Sequence, residues 1–137
     1  MMKKILILCM TFIRILSGCG NTDSVQNTEQ KTGYKQVSME EGLELMKEDS
    51  GYILLDVRRT DEFEEGHIPG AINIPNESIG KEEIAELPDK DQTIYVYCRS
   101  GNRSKQASQK LVDLGYTNVI EFGGIIDYSG EIEKGRQ

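Results

Sequence analysis

The sequence of 137 residues predicts an α/β domain whose parallel sheet is covered on both faces. From residue 36 onward, short strand-like and helix-like segments alternate and are joined by short links. The segment YILLDV at 52–57 is almost continuously apolar, as expected of a strand that is buried on both faces. A β-branched and aromatic run at 93–98 leads into an amphipathic pattern at 103–114, which repeats the strand–helix unit.

The first elements of this domain carry clear end signals. Ser38-Met39-Glu40-Glu41 fits a capping box, and the apolar spacing after it predicts a short amphipathic helix. Thr60 is predicted to cap a second short helix after the strand at 52–57, with Gly66 ending it.

The later elements follow the same alternation. A brief strand is predicted at 71–74, and a short helix at 82–87 that Pro88 ends. The strand at 93–98 precedes the clearest helix, 103–114, for which Gly115 is the C-terminal stop. The last predicted strand covers 118–122.

Charge and cysteine content exclude several classes of protein. Lys and Arg number 16 against 23 Asp and Glu, for a net charge of −7, which argues against nucleic acid or an anionic membrane surface as the main partner. No apolar run reaches the roughly 18 residues that span a bilayer. Cys9, Cys19 and Cys98 form neither a disulfide framework nor a repeated C-x-x-C pattern, so we expect no metal site and no cofactor.

The N-terminal segment is typical of a targeting signal. Lys3 and Lys4 precede a mostly apolar stretch, and Leu16-Ser17-Gly18-Cys19 resembles a bacterial lipoprotein box. We therefore predict a signal peptide at 1–18 and lipid attachment at Cys19, which would anchor the protein outside the cytoplasm on the bacterial cell membrane, with the lipid as its only membrane contact. Arg14 departs from this pattern, and the alternative is a buried N-terminal helix.

The rest of the chain divides into a tether and a domain. Residues 19–35 lack either hydrophobic period and are predicted to be a flexible tether, followed by the folded domain at 36–137. If the signal is removed and Cys19 is acylated, Cys98 is the remaining free thiol of the chain.

Cys98 opens the segment in which we expect the chemistry. Cys98-Arg99-Ser100-Gly101-Asn102-Arg103-Ser104 lies where a strand passes into a helix, and ligands of open parallel sheets bind at that edge. The backbone N–H groups of such a loop, together with a helix N-terminus, form an anion site that favours the thiolate. The alternative is that Cys98 is a small buried residue at the end of a core strand.

Basic residues accompany this thiol. Arg99, Arg103 and Lys105 form a basic island in an acidic chain, and Arg58 joins them as a candidate substrate-binding residue if its strand ends nearby. The alternative is a set of scattered, solvated charges.

Several segments in this order resemble the single-domain rhodanese (thiosulfate sulfurtransferase-like) family. The resembling segments are LLDVR at 54–58, EF at 62–63, GHIPGA at 66–71, NIP at 73–75, the Cys98 segment, LGY at 114–116 and FGG at 122–124. The resemblance implies a five-stranded, mostly parallel sheet with helices on both sides, in which Gln36 and Val37 supply a short strand.

The resemblance also implies a chemistry. Cys98 would take a sulfane sulfur from a small anionic donor such as thiosulfate or polysulfide, become a persulfide held by the amides of 99–104, and pass the sulfur to a thiol or cyanide. The spacing from Cys98 to Arg103 is C-x4-R. Phosphatases of this fold have C-x5-R, whose wider loop admits phosphate, so phosphate or arsenate chemistry is disfavoured here.

Other features of the family pattern are assigned no catalytic role. Asp56 and His67 are expected to hold the fold near the loop, and Tyr128 stands where many relatives have Trp. The alternative function is a rhodanese-like module that carries or senses sulfur species without turnover. The sequence does not predict an oligomeric state.

Overall fold

The computed structural model of the protein describes residues 33–80 and 82–136. The predicted signal peptide, the predicted lipid-bearing Cys19 and all of the predicted tether before residue 33 lie outside the described residues. Within the described ranges, no helix has both the length and the apolar character to cross a bilayer.

One five-stranded sheet forms the centre of the domain. Its strands are β1 (Lys35–Gln36), β2 (Ile53–Asp56), β3 (Ile72–Asn73), β4 (Ile94–Cys98) and β5 (Val119–Gly124). They lie in the order β1-β5-β4-β2-β3, and every neighbouring pair is parallel. The predicted α/β class with a five-stranded sheet is therefore confirmed, and the short first strand begins one residue earlier than predicted.

Helices cover the two faces of this sheet. They are α1 (Met39–Glu48), α2 (Thr60–Glu65) and α3 (Asn102–Asp113), and 3₁₀ turns lie at Asn76–Ser78 and Ile125–Asp127. One apolar core joins α1 and α2 to one face through side chains such as Met39, Phe63 and Phe122. A second core joins α3 to the other face, with Ala107 and Leu111 packed near Cys98 and Val96.

Helix α1 begins as the sequence predicts. The Ser38 side chain accepts a hydrogen bond from the Glu41 N–H at 3.1 Å, which satisfies one of the backbone donors that a helix N-terminus leaves unpaired.

The prediction that Thr60 caps α2 is wrong. Arg59 is the capping residue and Thr60 is the first residue of the helix; the Arg59 N–H donates to the Glu62 carboxylate at 3.0 Å. The acidic side chain three residues into the segment closes this end, a signal that the capping preference of Thr60 obscured. Gly66 ends the helix as predicted.

The prediction of a helix at 82–87 is also wrong. This stretch forms turns, with the Leu87 N–H donating to the Ile84 carbonyl at 3.0 Å. Ile84 and Leu87 are buried in the α3-side core, and the Leu87 carbonyl accepts the Tyr116 hydroxyl at 2.6 Å. Tertiary contacts at these two apolar residues thus fix the segment, which is too short for helix propensity to decide its structure.

The C-terminal segment 131–136 returns to the α2 side of the domain. Glu133 pairs with His67 through two backbone hydrogen bonds of 2.9 Å, and the Gly135 N–H donates to the Glu64 carbonyl at 2.9 Å. A Cβ on Gly66 would lie 2.7 Å from the Ile132 side chain, so the segment packs closely on the end of α2.

Candidate active site

Cys98 is the last residue of β4, and the chain turns from it directly into α3. We call residues 98–104 the Cys98 loop. Strand β4 lies between β5 and β2, so the loop sits at the carboxyl edge of the sheet, where parallel α/β folds bind ligands. The side chain is almost completely buried, with 1% of the residue exposed, and it is a free thiol. Its position at the edge of the core fits both a packing role and a chemical one, and its polar contacts distinguish them.

Two polar groups of the Cys98 loop contact the sulfur. The Gly101 N–H donates to Sγ at 3.0 Å, and the Ser104 Oγ lies 3.4 Å from Sγ. Gly101 has φ +105, a left-handed conformation that side chains disfavour, and this conformation directs the loop amide back at the sulfur. The sulfur therefore has a directed donor, which a cysteine that only fills space does not need.

Helix α3 adds the electrostatic character of its N-terminus. Gly101 is its capping residue, and the helix runs for 12 residues from Asn102. The first N–H groups of a helix have no partner within it, so the amides of Asn102, Arg103 and Ser104 can hold an anion. The anion site predicted from the sequence stays a prediction.

Arg103 links the Cys98 loop to α2. Its guanidinium makes a two-bond contact with the Glu62 carboxylate, at 2.7 Å (Nη1 to Oε2) and 3.0 Å (Nη2 to Oε1). The hydrogen bond from Arg103 lowers the pKa of Glu62 from 4.5 to about 2, and the same bond raises the pKa of Arg103. Arg103 therefore connects the Cys98 loop to α2, and its charge is already paired with Glu62.

Glu121 is a site residue that the sequence analysis missed. It lies on β5, and only 1% of the residue is exposed. Its Oε1 accepts hydrogen bonds from the Ser104 hydroxyl at 2.6 Å and from the Gly123 N–H at 2.9 Å. A carboxylate in the middle of an apolar strand, two residues before a Gly-Gly pair, is the signal that could have identified it. The Ser104 side chain therefore lies between this buried carboxylate and the Cys98 sulfur.

Gly124 is a second residue whose role was missed. It pairs with Cys98 across the sheet, after an irregularity in β5 at which Gly123 has φ +95. A Cβ on Gly124 would overlap the carbonyl of Arg99 and the amide nitrogen of Ser100. The Arg99 carbonyl also accepts the Ile126 N–H at 3.2 Å, so the Cys98 loop rests directly on the end of β5.

The remaining predicted residues of the loop lie at its surface. Arg99, Ser100 and Asn102 are exposed, as is Lys105, whereas Gly101 and Ser104 are buried. The exposed side chains can meet an incoming anion, while the buried pair faces the sulfur.

Arg58 has partners outside the Cys98 loop. Its guanidinium contacts Asp56 through bonds of 2.7 to 3.1 Å, and its Nη2 donates to the Gly66 carbonyl at 2.6 Å. Asp56 is fully buried and also accepts the Arg58 N–H. These contacts tie the end of β2 to the end of α2. The role of Arg58 in substrate binding stays a prediction.

His67 has contacts consistent with a role in holding the fold. It is fully buried and stacked on Phe63 with ring centroids 3.7 Å apart, and its Nδ1 donates to the Phe63 carbonyl at 2.7 Å. Among the described residues, no group of three or more His, Cys, Asp or Glu side chains is arranged to hold a metal ion.

Comparison with known proteins shows the family to which residues 38–130 are similar. Residues 38–130 match the Rhodanese-like domain. The chain is 38% identical over 81 residues to the thiosulfate sulfurtransferase PspE of Escherichia coli (strain K12), a match that covers 59% of this chain and 78% of PspE. It is 41% identical over 93 residues to the adenylyltransferase and sulfurtransferase UBA4 of Meyerozyma guilliermondii, which covers 62% of this chain but only 22% of that much longer protein.

Among solved structures, a rhodanese with anions from E. coli superposes with a TM-score of 0.56 at 37% identity. The superposition covers 61% of this chain and 99% of the E. coli chain. The sequence and structural comparisons thus agree with each other.

Proposed function

Because the chain belongs to the rhodanese-like family, we propose that it is a sulfurtransferase that carries a sulfane sulfur as a persulfide on Cys98. The observation that carries this proposal is the hydrogen bond from the Gly101 N–H to the Cys98 Sγ at the N-terminus of α3. A buried sulfur that accepts a hydrogen bond from a backbone N–H at a helix N-terminus is arranged to bear negative charge.

The reaction has two sulfur transfers. The Cys98 thiolate attacks the outer sulfur of thiosulfate, the sulfur–sulfur bond of the donor breaks, and sulfite leaves with the bonding electron pair. An acceptor thiolate or cyanide then attacks the outer sulfur of the persulfide, and the Cys98 thiolate is the leaving group. Polysulfide would enter by the same attack, with a shorter polysulfide leaving.

The donor is proposed to be a small anion. The first-turn amides of α3 and the exposed Arg99 offer positive potential at the mouth of the Cys98 loop. The solved E. coli relative is described as a rhodanese with anions, which agrees with this assignment.

The length of the Cys98 loop favours sulfur over phosphate as the group transferred. Cys98 and Arg103 are separated by four residues, and Arg103 is paired with Glu62. An aryl phosphate should therefore not be hydrolysed at a rate above that of the Cys98→Ser variant.

The test is the intact mass of the full chain before and after incubation with thiosulfate and with polysulfide. A gain equal to one sulfur atom, absent in Cys98→Ser and removed by cyanide, is the expected result. If reduced and accessible Cys98 gains no sulfur from either donor, the proposal fails in favour of a module that binds sulfur species without turnover.

We also propose that the mature protein is held at the bacterial membrane by a lipid on Cys19. The support is the basic start, the apolar stretch and the Leu16-Ser17-Gly18-Cys19 ending of the N-terminal segment. Metabolic labelling with a fatty-acid analogue should mark the protein in bacterial cells. Label that persists in Cys19→Ala would contradict the proposal.

A further inference from the structure

A groove runs beside helix α1, on the face of the sheet opposite α3. Its floor is formed by the buried apolar residues Met39, Leu54 and Ile68, and its walls include the half-buried Leu43 of α1 and Tyr128 of the segment after β5. We call this feature the α1 groove. Its volume of about 740 Å³ falls within the range of about 300–1,000 Å³ that is usual for ligand sites in proteins.

The rim of the α1 groove carries unpaired negative charge. Glu40, Asp127 and Glu131 line it and are exposed, and among the residues that the structure describes their side chains form no hydrogen bond or ion pair. Glu44 also lines the groove, but Lys47 pairs with it at 2.5 Å, so these two charges cancel. The groove therefore suits an occupant that combines apolar groups with positive charge.

The segment after β5 connects the α1 groove to the Cys98 loop. Asp127 and Tyr128 line the groove, and Ile126, one residue earlier, donates its N–H to the Arg99 carbonyl of the loop at 3.2 Å. Ile126 is 62% exposed, more than any other large apolar residue that the structure describes. An apolar surface thus continues from the groove to the loop that holds the sulfur.

We propose that the α1 groove and Ile126 form the docking surface for a protein that accepts sulfur from Cys98, and that this partner binds through a basic amphipathic helix. The inference rests on the proposed function and names the class of the acceptor thiol. The groove follows α1 from Met39 to Lys47, a length of about 12 Å, which matches two turns of a docked helix. Apolar side chains of that helix enter the groove, and its basic side chains meet the carboxylates of the rim.

The two sulfur transfers then use surfaces of opposite charge. The anionic donor meets the exposed Arg99 and the first amides of α3, whereas the carboxylates of the α1 groove repel it. In the second transfer, the partner's thiolate attacks the outer sulfur of the persulfide, the partner gains that sulfur as its own persulfide, and Cys98 leaves as the thiolate. Docking raises the effective concentration of the acceptor thiol at the loop and leaves the donor's approach open.

The first measurement is the binding of a labelled probe peptide to the full chain, read by fluorescence anisotropy. The probe has Leu and Lys at amphipathic helical spacing over about 15 residues, since shorter helices are marginal in water. The control peptide has Glu in place of every Lys and is expected not to bind. No sulfur donor is present, so the outcome does not depend on whether the protein transfers sulfur.

Variants of the α1 groove test where the Lys peptide binds. Glu40→Gln combined with Glu131→Gln is expected to weaken its affinity by roughly three- to tenfold, because two charge pairs are lost. Leu43→Lys should weaken it by roughly tenfold or more, because it puts a like charge into the groove. The matched control is Glu83→Gln combined with Glu86→Gln, which removes the same charge from an exposed segment on the α3 side and should leave the affinity unchanged.

The second measurement is sulfur transfer from the persulfide-loaded full chain to a Lys peptide that ends in cysteine, read as a gain in peptide mass, and to cyanide. Glu40→Gln combined with Glu131→Gln should slow transfer to the peptide by the same roughly three- to tenfold, at peptide concentrations below the Kd. Transfer to cyanide should be unchanged, because cyanide requires no docking.

Three results would overturn the proposal. Equal binding of the Lys and Glu peptides, or an equal loss of affinity in the groove variants and the matched control, would reject the docking surface. If the groove variants slow transfer to cyanide as much as transfer to the peptide, the groove acts on the Cys98 loop and the acceptor role is rejected. If Cys98 never gains sulfur, the proposed function and the acceptor role fail together, and the anisotropy alone decides whether the groove binds a basic helix.

Discussion

Gly124 illustrates how a residue without a side chain can shape the Cys98 loop. The space that a Cβ would need is taken by the backbone of Arg99 and Ser100. Gly124→Ala is therefore expected to push the Cys98 loop away from β5, lowering the free energy of unfolding by about 1–3 kcal/mol and removing most of the sulfur transfer. Denaturant unfolding and thiosulfate:cyanide turnover measure the two effects.

The matched control for this prediction is Gly51→Ala. Gly51 has φ +70 with open space around it, so the substitution costs roughly 1 kcal/mol of backbone strain away from the site. Its turnover should be unchanged once the protein is folded. Equal turnover in Gly124→Ala and Gly51→Ala would contradict the proposed contact between β5 and the loop.

Arg58 offers a test of a substrate-binding role against a structural one. Removing its side chain in Arg58→Met leaves Asp56 buried without its cation, which is expected to cost about 3–5 kcal/mol of unfolding free energy. The double variant Asp56→Asn with Arg58→Met should recover part of this loss. If the double variant is stable but its KM for thiosulfate rises sharply, Arg58 binds substrate as the sequence predicts.

At the scale of elements, the ion pair between Arg103 and Glu62 joins α3 to α2. Arg103 and Glu62 are 29% and 23% exposed, between a surface pair and a buried one, so Glu62→Gln is expected to lower the unfolding free energy by about 1–2 kcal/mol. It should also lower turnover, because Arg103 then braces the Cys98 loop less firmly.

The same pair predicts a dependence on pH. The pKa of Glu62 is lowered from 4.5 to about 2 in the folded protein by its bond to Arg103. Its contribution to stability is therefore complete above about pH 4.5 and is lost as the pH falls toward 2. In denaturant titrations, the difference between wild type and Glu62→Gln should shrink over this range, and a constant difference would refute the assignment.

The helices and strands that the sequence predicts correctly are those whose own residues carry the apolar pattern of that structure. The strands around Leu55 and Val96 and the helix around Leu111 carry their apolar pattern locally. The turn around Ile84 does not, since it is held by contacts made from Tyr116 and the rest of the core, which no local pattern records.

The candidate site divides in the same way. Cys98 and the residues up to Ser104 are contiguous, so their order and composition predict the loop. Glu121 and Gly124 reach it across the sheet from β5, and the irregularity beside Gly123 determines which β5 residues face it. The spacing of residues within the Cys98 loop cannot predict contacts that come from a different strand.

For the whole molecule, the sheet order places the Cys98 loop where both cores meet. Cys98 belongs to the α3-side core, while Glu62 lies on the helix that covers the opposite face. Arg103 spans the edge of the sheet to join them. A substitution that alters the packing of either core is therefore expected to change the geometry of the Cys98 loop, even when the substituted residue lies far from the sulfur.

Residues 131–136 pack against the end of α2, and this has a practical consequence for anyone who designs a shortened gene. The matched family region ends at residue 130, so a designer following that boundary would place a stop codon there. The product would lose both backbone bonds to His67, the cover that Ile132 gives Gly66 and the bond from Gly135 to Glu64. The codons through 136 should be retained, because the family boundary falls short of where the packing of this chain ends.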